Sequence, residues 1–296
     1  MTEVIVPLRK IKILHEGFNM SMIIHPKNKF EYLATIRQKN KLSDTDYPTI
    51  ENKVLLLKLD SSFQVLESDE LVESIKRDKH VSFTTGIEDC RLIDGNLMTG
   101  VCMDTNPDWV SDMCLCNINI ENKTIERITV FTSQEEKRTS QKNWLVLHHT
   151  FTTMFMLHSY DPLRVMSVHI ESGSSNVIRF QKIFNLENCD VHGGASIYLE
   201  REKLFLVNIR IVQNHKYEYS MWMILNDQYR FCGISKPFLF ANRDDENNSD
   251  YYEMCMSLVK KRDVLYASVS FCDKEVFVYE FLVDKILKQV NHINHV

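Results

Sequence analysis

Short runs in which apolar and polar residues alternate follow one another along most of the chain. They include Val54–Leu59, Leu97–Met103, Arg164–Ile170 and Val264–Phe271. Alternation with a period of two residues is typical of a β-strand with one buried face. Polar turn sequences such as Asp94-Gly95-Asn96 separate the runs. The pattern therefore predicts an all-β chain built from many short strands.

One segment departs from this alternation. Asp69–Asp78 is the best helical candidate in the chain, and it is short. No linker rich in proline, glycine or serine and no low-complexity tract interrupts the sequence. A length of 296 residues is normal for a single all-β barrel or propeller. We therefore expect residues 1–296 to form one domain.

Unusual polar clusters recur at a spacing that predicts a repeated unit. They begin near Glu88, Lys142, His192 and Tyr251, so that successive clusters lie 54, 50 and 59 residues apart. Three or four predicted strands follow each cluster. A repeat of about 50 residues with four strands is typical of a β-propeller blade. A further unit fits before Glu88, opening at Gly17-Phe18-Asn19, which makes five blades.

The predicted fold class is thus an all-β, five-bladed β-propeller with about four antiparallel strands per blade. The predicted blades cover approximately residues 17–60, 86–132, 142–184, 192–240 and 251–284. Residues 2–14 are expected to add a strand to the last blade and close the ring. The innermost strand of each blade lines the central channel of a propeller. The polar clusters that open the blades are therefore expected to face one shared pocket.

Charge and hydropathy narrow the set of expected partners. The net charge is −5, and the lysines and arginines form no basic stripe, so nucleic acid is not an expected partner. No apolar run approaches the roughly 20 residues that a membrane span needs, so a membrane is not expected either.

The eight cysteines are dispersed and lack the spacing of a zinc site. The basic residues among the first fourteen are followed by no apolar signal core. We therefore expect a cytoplasmic protein with reduced thiols and no metal site.

Several of the polar clusters resemble motifs of one enzyme family. Gly86-Ile87-Glu88-Asp89-Cys90-Arg91 resembles the G-x-E-D-P-R motif of glycoside hydrolase family 130, which contains β-mannoside phosphorylases and related hydrolases. Phe18-Asn19 is similar to the opening F-N-P of that family, and Lys142-Asn143-Trp144 matches a K-N-W motif. His192-Gly193-Gly194 resembles an R-G-G blade opening, and Ser270-Phe271-Cys272-Asp273 resembles the final S-Y-G-x-x-D. The order of the motifs agrees over nearly the whole chain, and the resemblance implies a sugar in the central pocket of a five-bladed propeller.

The resemblance also implies catalytic roles. Glycosyl transfer needs a group that protonates the leaving oxygen and a nucleophile, which is water, a sugar hydroxyl or phosphate. In the family the motif aspartate is the general acid, acting in the phosphorylases through a substrate hydroxyl, and this role carries over to Asp89. Glu88 is then expected to bind the sugar where the bond is cleaved. Glu253, which opens the last blade, is a candidate base.

Other polar residues of the blade openings are expected to bind the substrate. They are Asn19, Arg37, Arg91, Lys142, Asn143, His192, Tyr251 and Asp273. Each has a structural alternative, because turn caps, ion pairs and solvated surface place the same residue types at strand ends. Arg91, for example, can instead hold a carboxylate of its own motif within the blade.

Four departures from the family pattern bear on catalysis. Cys90 and Met20 stand where the family has proline, His192 replaces an arginine, and Cys272 replaces a glycine. The planar guanidinium group suits bidentate recognition of phosphate or sugar hydroxyls. Loss of that arginine therefore weakens the expectation of phosphorolysis.

The sequence leaves two functions open. One is an enzyme that acts on a mannose-type glycosidic bond by phosphorolysis, transglycosylation or hydrolysis. It would use no cofactor, and inorganic phosphate is an optional co-substrate. The other is a non-catalytic propeller that binds a glycan or a protein partner. The sequence does not indicate an oligomeric state.

Overall fold

The chain forms five separate β-sheets that are arranged as the blades of a propeller. The computed structural model describes residues 3–4, 6–41, 50–80, 82–133, 142–183, 189–213, 217–240 and 252–292. Within these residues, consecutive strands of each blade pair antiparallel. The predicted fold class is therefore confirmed.

The first three blades each have four antiparallel strands and one short parallel strand at an edge. Blade 1 contains Phe18–Ile24, Tyr32–Lys41, Ile50–Leu59 and Val65–Glu70, with Thr84–Thr85 added beside Ile50–Leu59. Blade 2 contains Ile87–Leu92, Leu97–Cys102, Asp112–Asn119 and Thr124–Val130, with Val72–Glu73 at its outer edge. Blade 3 contains Leu145–His149, Thr153–Tyr160, Leu163–His169 and Ser174–Gln181, with Thr132–Ser133 at its outer edge.

Both ends of the described chain join the last two blades. Blade 4 contains Cys189–Leu199, Leu204–Gln213, Tyr217–Asn226 and Phe231–Ser235, together with the short strands Phe238–Leu239, Glu3–Val4 and Val290–His292. Blade 5 contains Glu253–Lys261, Val264–Phe271, Glu275–Leu282 and Arg9–Lys12. Because Arg9–Lys12 is the outer strand of a blade whose other strands come from the end of the chain, it closes the ring.

The segment that was predicted to be helical is extended. Residues 69–78 include the end of strand Val65–Glu70 and the strand Val72–Glu73. Leu71 between them is buried, and its N–H donates to the Val54 carbonyl. The helix prediction was wrong because pairing to the edges of two blades outweighed the weak local helix preference. A helix of seven residues does occur, at Val283–Gln289.

Five clusters of apolar side chains hold the described blades together, and each fills the space between two neighbouring blades. Trp222 of blade 4 is fully buried and packs edge-on against Phe281 of blade 5. Hydroxyl groups add bonds between neighbouring blades. Ser268 of blade 5 donates to the Met20 carbonyl of blade 1. The propeller is therefore one continuous ring of packed sheets.

The innermost strand of every blade carries a β-bulge. The register shifts between Phe18 and Ser21, Glu88 and Arg91, Val146 and His148, Gly193 and Ala195, and Cys255 and Ser257. A bulge inserts an extra residue, bends the strand and redirects the side chains around it. The bulges thus change which side chains face the channel at the point where each blade opens.

Arg91 crosses the centre of the ring. It belongs to blade 2, and its side chain is buried. Its Nη1 donates to the carbonyl oxygens of Gly194 in blade 4 and Met256 in blade 5. In a ring of five blades, blades 4 and 5 lie opposite blade 2. The Arg91 side chain therefore spans the channel and joins three blades.

Replacing Arg91 with methionine is expected to lower the free energy of unfolding by about 2–4 kcal/mol. The reason is that two buried carbonyls lose their donor, at a cost of about 1–3 kcal/mol each. Urea unfolding measures the change, with Arg127→Met as the control because Arg127, which is only partly buried, also donates to a carbonyl, that of Glu171. Equal stability losses in the two variants would contradict the bridging role of Arg91.

In the parts of the chain that the structure describes, no helical segment has the length and apolar character of a transmembrane helix.

Candidate functional site

A buried network of charged and amide side chains joins the openings of blades 1 and 2. Arg37 lies at its centre, and its Nη1 donates to Asp89 Oδ1 over 2.9 Å. Its Nη2 lies 3.2 Å from Glu88 Oε1, and its Nε donates to Asn52 Oδ1 over 2.8 Å. Asn19 Nδ2 also donates to Asp89 Oδ1, at 2.7 Å. One guanidinium group therefore holds both carboxylates of the sequence motif.

Unusual backbone conformations place two of these side chains. Asn19 has a φ of 53° and Asp89 a φ of 50°, both in the left-handed region. Asparagine and aspartate tolerate this region better than other residues with a side chain. Opposite the Asp89 bulge stands Gly100, where a Cβ would lie 2.4 Å from Cγ2 of Ile87. A small residue at position 100 thus lets the bulge form and turn Asp89 toward Arg37.

The environment of Asp89 favours its charged form. Burial by itself raises the pKa of the carboxyl group, but the charge of Arg37 and the hydrogen bond from Asn19 outweigh it and hold the pKa below its usual value. The Asp89 side chain keeps 17% of its surface exposed. In the free protein at neutral pH, Asp89 is therefore a carboxylate that stays accessible from the channel.

The low pKa of Asp89 predicts a specific loss of stability in acid. Between the folded pKa and the unfolded value of about 3.9, the unfolded chain binds more protons, so stability falls as the pH falls through this range. Denaturation at pH 5 and pH 3 measures the loss, and Asp89→Asn should lose less than the wild type. The same loss in both proteins would contradict the depressed pKa.

A second polar group continues from this network into blade 5. The Phe18 ring lies 5.2 Å from the Arg37 guanidinium and 4.5 Å from Lys39 Nζ. Lys39 in turn donates to Asp273 Oδ2 over 2.6 Å. Burial and a hydrogen bond with Asp273 raise the pKa of the Tyr252 hydroxyl, which therefore stays protonated. Asp273 thus accepts bonds from two different blade openings.

Blade 4 contributes a cation and a neutral imidazole. Arg210 lies 6.0 Å from the centre of the Tyr252 ring and 3.4 Å from Glu218 Oε2. His192 pairs with Arg210 across two neighbouring strands. Burial and the nearby Arg210 charge lower the pKa of His192, although Asp190 opposes them. His192 is therefore neutral at pH 7 and able to donate or accept a hydrogen bond.

Blade 3 meets blade 4 through a close backbone contact. Asn143 has a φ of 61°, and its carbonyl accepts a 2.9 Å hydrogen bond from the Tyr160 hydroxyl. A Cβ at Gly193 would lie 2.0 Å from that hydroxyl and 2.4 Å from the Asn143 carbonyl oxygen. Glycine at position 193 therefore lets the two openings touch. Lys142, the residue before Asn143, is exposed.

The structure thus places six of the predicted residues around one end of the channel. They are Asn19, Arg37, Glu88, Asp89, His192 and Asp273, linked partly through residues that the sequence did not single out. Arg91 instead binds carbonyls deeper in the channel. Glu253 is buried, and its Oε2 accepts a 2.8 Å hydrogen bond from the Phe240 N–H. Tyr251 lies outside the described residues, and the roles predicted for all these residues stay predictions.

Four linking residues were missed. They are Asn52, Lys39, Arg210 and Tyr252. Asn52 and Lys39 lie just outside the predicted strands of blade 1, where an isolated polar residue is also typical of a solvent-exposed face. Only the pairing of strands shows that Asn52 faces Glu88 and Arg37. Tyr252 adjoins the cluster at Tyr251, and that adjacency was the one available signal.

Comparison with known proteins gives matches at the level of structure. No protein-family model and no curated protein matches the sequence. A β-1,2-mannobiose phosphorylase from Listeria innocua, solved in complex with β-1,2-mannobiose, does match the structure. It is 14% identical, the match covers 96% of this chain and 94% of that one, and the TM-score is 0.66. The chain has the fold of the mannoside phosphorylases.

Two further structures share this fold. A mannose phosphorylase from Leishmania mexicana, in complex with a phosphate ion, is 10% identical, with 99% of this chain and 91% of that one covered and a TM-score of 0.58. A structure described under the GH130 family of mannoside phosphorylases, which contains hydrolases of β-1,2 mannosidic linkages, is 11% identical, with 96% and 91% covered and a TM-score of 0.62. The predicted resemblance is therefore confirmed at the level of the mannoside phosphorylase fold.

Proposed function

We propose that this protein is a glycan-active enzyme that binds a mannose-type sugar beside Asp89 and cleaves or forms its glycosidic bond. The observation that carries the proposal is the convergence of Asn19, Arg37, Glu88 and Asp89 at one channel opening. Convergent polar groups in a concave site are the usual mark of a ligand pocket. The mannoside phosphorylase fold supports the choice of sugar, while the site residues support the chemistry.

Asp89 is the proposed proton-handling group. Its two described hydrogen bonds, from Asn19 and Arg37, both end on Oδ1. Oδ2 is therefore the oxygen proposed to meet a sugar hydroxyl. Acid catalysis needs the protonated form, and kcat/KM reports the pKa of the free enzyme. Because the pKa of Asp89 is low, kcat/KM is expected to rise toward acidic pH.

The identity of the acceptor depends on the basic side chains of the site. Three cations near the carboxylates each have a carboxylate partner: Arg37 binds Glu88 and Asp89, Lys39 binds Asp273, and Arg210 lies beside Glu218. Arg91 donates to two backbone carbonyls instead. A phosphate ion would have to share these cations with the carboxylates. We therefore propose water or a sugar hydroxyl as the acceptor before phosphate.

Ligand titration tests the proposed pocket. A ligand that binds only the native state raises its stability by RT ln(1 + [L]/Kd), which is about 2.7 kcal/mol at 100 Kd. Thermal unfolding is measured with mannose, β-1,2-mannobiose, mannose 1-phosphate and inorganic phosphate, and glucose serves as the control sugar. The proposal predicts a shift with mannose and mannobiose. No shift with any mannose compound would contradict it.

A second function, non-catalytic binding of a glycan, is favoured by one observation. The same Arg37 that orients Asp89 also neutralises it and lowers its pKa, whereas an efficient general acid has a pKa near the working pH. A protein of this kind would show the thermal shift with mannose but no release of product. Turnover therefore separates the two functions.

A further inference from the structure

Two aromatic side chains lie together on the surface near the proposed pocket. The rings of Phe83 and Trp109 meet edge to face, with centroids 4.6 Å apart. Phe83 is 42% exposed and Trp109 is 50% exposed. The other two tryptophans of the chain, Trp144 and Trp222, are buried. We call Phe83 and Trp109 the aromatic platform.

The loop that carries Trp109 is internally fixed. Asn106 is buried, and its Nδ2 donates to the Val110 carbonyl and to Asp112 Oδ2, each over 2.7 Å. Its Oδ1 accepts a 3.0 Å bond from the Asp108 N–H. Trp109 itself has a φ of 58°, which a bulky residue adopts only where the surrounding structure imposes it. The loop therefore holds an indole ring in solvent in one defined position.

The platform lies at the same end of blade 2 as the carboxylates. The loop begins after Cys102, which pairs with Ile87, the residue before Glu88. Buried Asp104 accepts a 3.3 Å bond from the N–H of Gly86, so the loop is tied to the strand that leads into Glu88. Phe83 precedes this strand by a few residues. The platform therefore stands at the end of blade 2 where the strand with Glu88 and Asp89 begins.

The segment between platform and pocket is anchored from both sides. Asn52 Nδ2 donates to the Thr85 carbonyl and to Glu88 Oε1, each over 3.2 Å. Arg77 makes two hydrogen bonds to Asp104, of 2.9 and 3.1 Å. The spacing between Trp109 and the Asp89 network is therefore set by buried and partly buried hydrogen bonds, as a site built for a ligand of defined length requires.

We propose that the aromatic platform is an outer sugar subsite, and that the protein acts on a mannose-type oligosaccharide that reaches from Asp89 to Trp109. This inference rests on the proposed function. A sugar ring has an apolar face of C–H groups, which an exposed indole or phenyl ring covers at little entropic cost because aromatic side chains have few rotatable bonds. A single mannose unit fills only the inner pocket.

Fluorescence tests the platform directly, because Trp109 is the exposed tryptophan among the three. Mannose and a series of mannose oligosaccharides of increasing length are titrated into the protein. Oligosaccharides long enough to reach the platform are expected to shift the emission to shorter wavelength and reduce quenching by acrylamide, while mannose changes neither. Trp109→Phe should lose the fluorescence signal while it keeps the affinity within about threefold, because a ring remains.

Affinity gives the second readout. Trp109→Asn removes the ring but suits the left-handed backbone, so the loop is expected to stay folded. It should weaken oligosaccharide binding by about five- to tenfold and leave mannose binding unchanged, in line with the strength of aromatic contacts. Phe151→Ala, which removes another exposed aromatic ring, is the control.

The outcomes separate the two proposals. If mannose binds but long oligosaccharides bind no more tightly, or bind Trp109→Asn as well as the wild type, the platform is not a subsite although the pocket is a sugar site. If neither mannose nor any oligosaccharide binds, the proposed function itself is wrong and the subsite falls with it. The inference would also be overturned if added unrelated proteins changed the Trp109 fluorescence and sugars did not.

Discussion

Asp89→Asn is expected to reduce turnover of mannose-type substrates by about 10²–10⁴-fold, the usual contribution of a positioned proton-transfer group. The backbone should tolerate the change, since asparagine accepts a φ of 50° as readily as aspartate. The new amide oxygen can still accept the bonds from Asn19 and Arg37. Loss of activity would therefore report the lost carboxylate rather than a lost fold.

The control for this prediction is Asp69→Asn. Asp69 lies on the outer strand of blade 1 and forms an exposed ion pair with Lys123 at 3.0 Å. Exposed pairs contribute little to stability, so this variant should keep both its activity and its unfolding midpoint. If Asp89→Asn turned over substrate as fast as Asp69→Asn, Asp89 would not be the proton-handling group.

Arg37→Met is expected to lower the free energy of unfolding by about 3–5 kcal/mol. Arg37 and Glu88 are only 7% and 6% exposed, and removing one partner of a buried ion pair leaves the other charge without compensation. Methionine keeps the aliphatic stem that packs beside Phe18, so the lost charge dominates the effect. Urea unfolding at pH 7 measures it.

Two further variants identify the cause of this loss. Lys53→Met removes an exposed pair with Glu70 in the same sheet and should cost less than about 1 kcal/mol. Adding Glu88→Gln and Asp89→Asn to Arg37→Met should recover a large part of the stability, because neutral side chains no longer need the guanidinium charge. Failure of this rescue would mean that Arg37 acts through packing instead of charge.

The fold could be predicted because its signals repeat. Alternating strands and polar clusters at blade spacing are properties of the sequence alone, and the blades of the structure follow that periodicity. The helix predicted at Asp69–Asp78 failed since its short local signal competed with strand pairing to two different blades. Local preference decides only where tertiary contacts do not.

The site could be predicted only in part. Asn19, Arg37, Glu88 and Asp89 were selected as one pocket, and the structure brings them into one network. Their pairing was not foreseen, because the Asp89 bulge and the register of Arg37 in the neighbouring blade decide which side chains meet. These features depend on contacts between strands far apart in sequence.

Arg91 is a second residue whose contacts the sequence did not predict. It was grouped with the substrate-binding residues because it follows Asp89 by two positions in the motif. The bulge between Glu88 and Arg91 changes the direction of the side chains on either side of it. The Arg91 side chain donates to carbonyls of blades 4 and 5. A motif thus predicted which residues lie at the channel but not which contacts each of them makes in the folded protein.

The most direct test of the central claim is product analysis. The wild-type protein is incubated with the mannobiose probe at pH 5 and pH 7, with and without inorganic phosphate, and the sugars are separated by chromatography. The account predicts release of mannose that does not require phosphate, is faster at pH 5, and is lost in Asp89→Asn. Binding of the disaccharide without any product under all four conditions would contradict catalysis and identify the propeller as a glycan-binding protein.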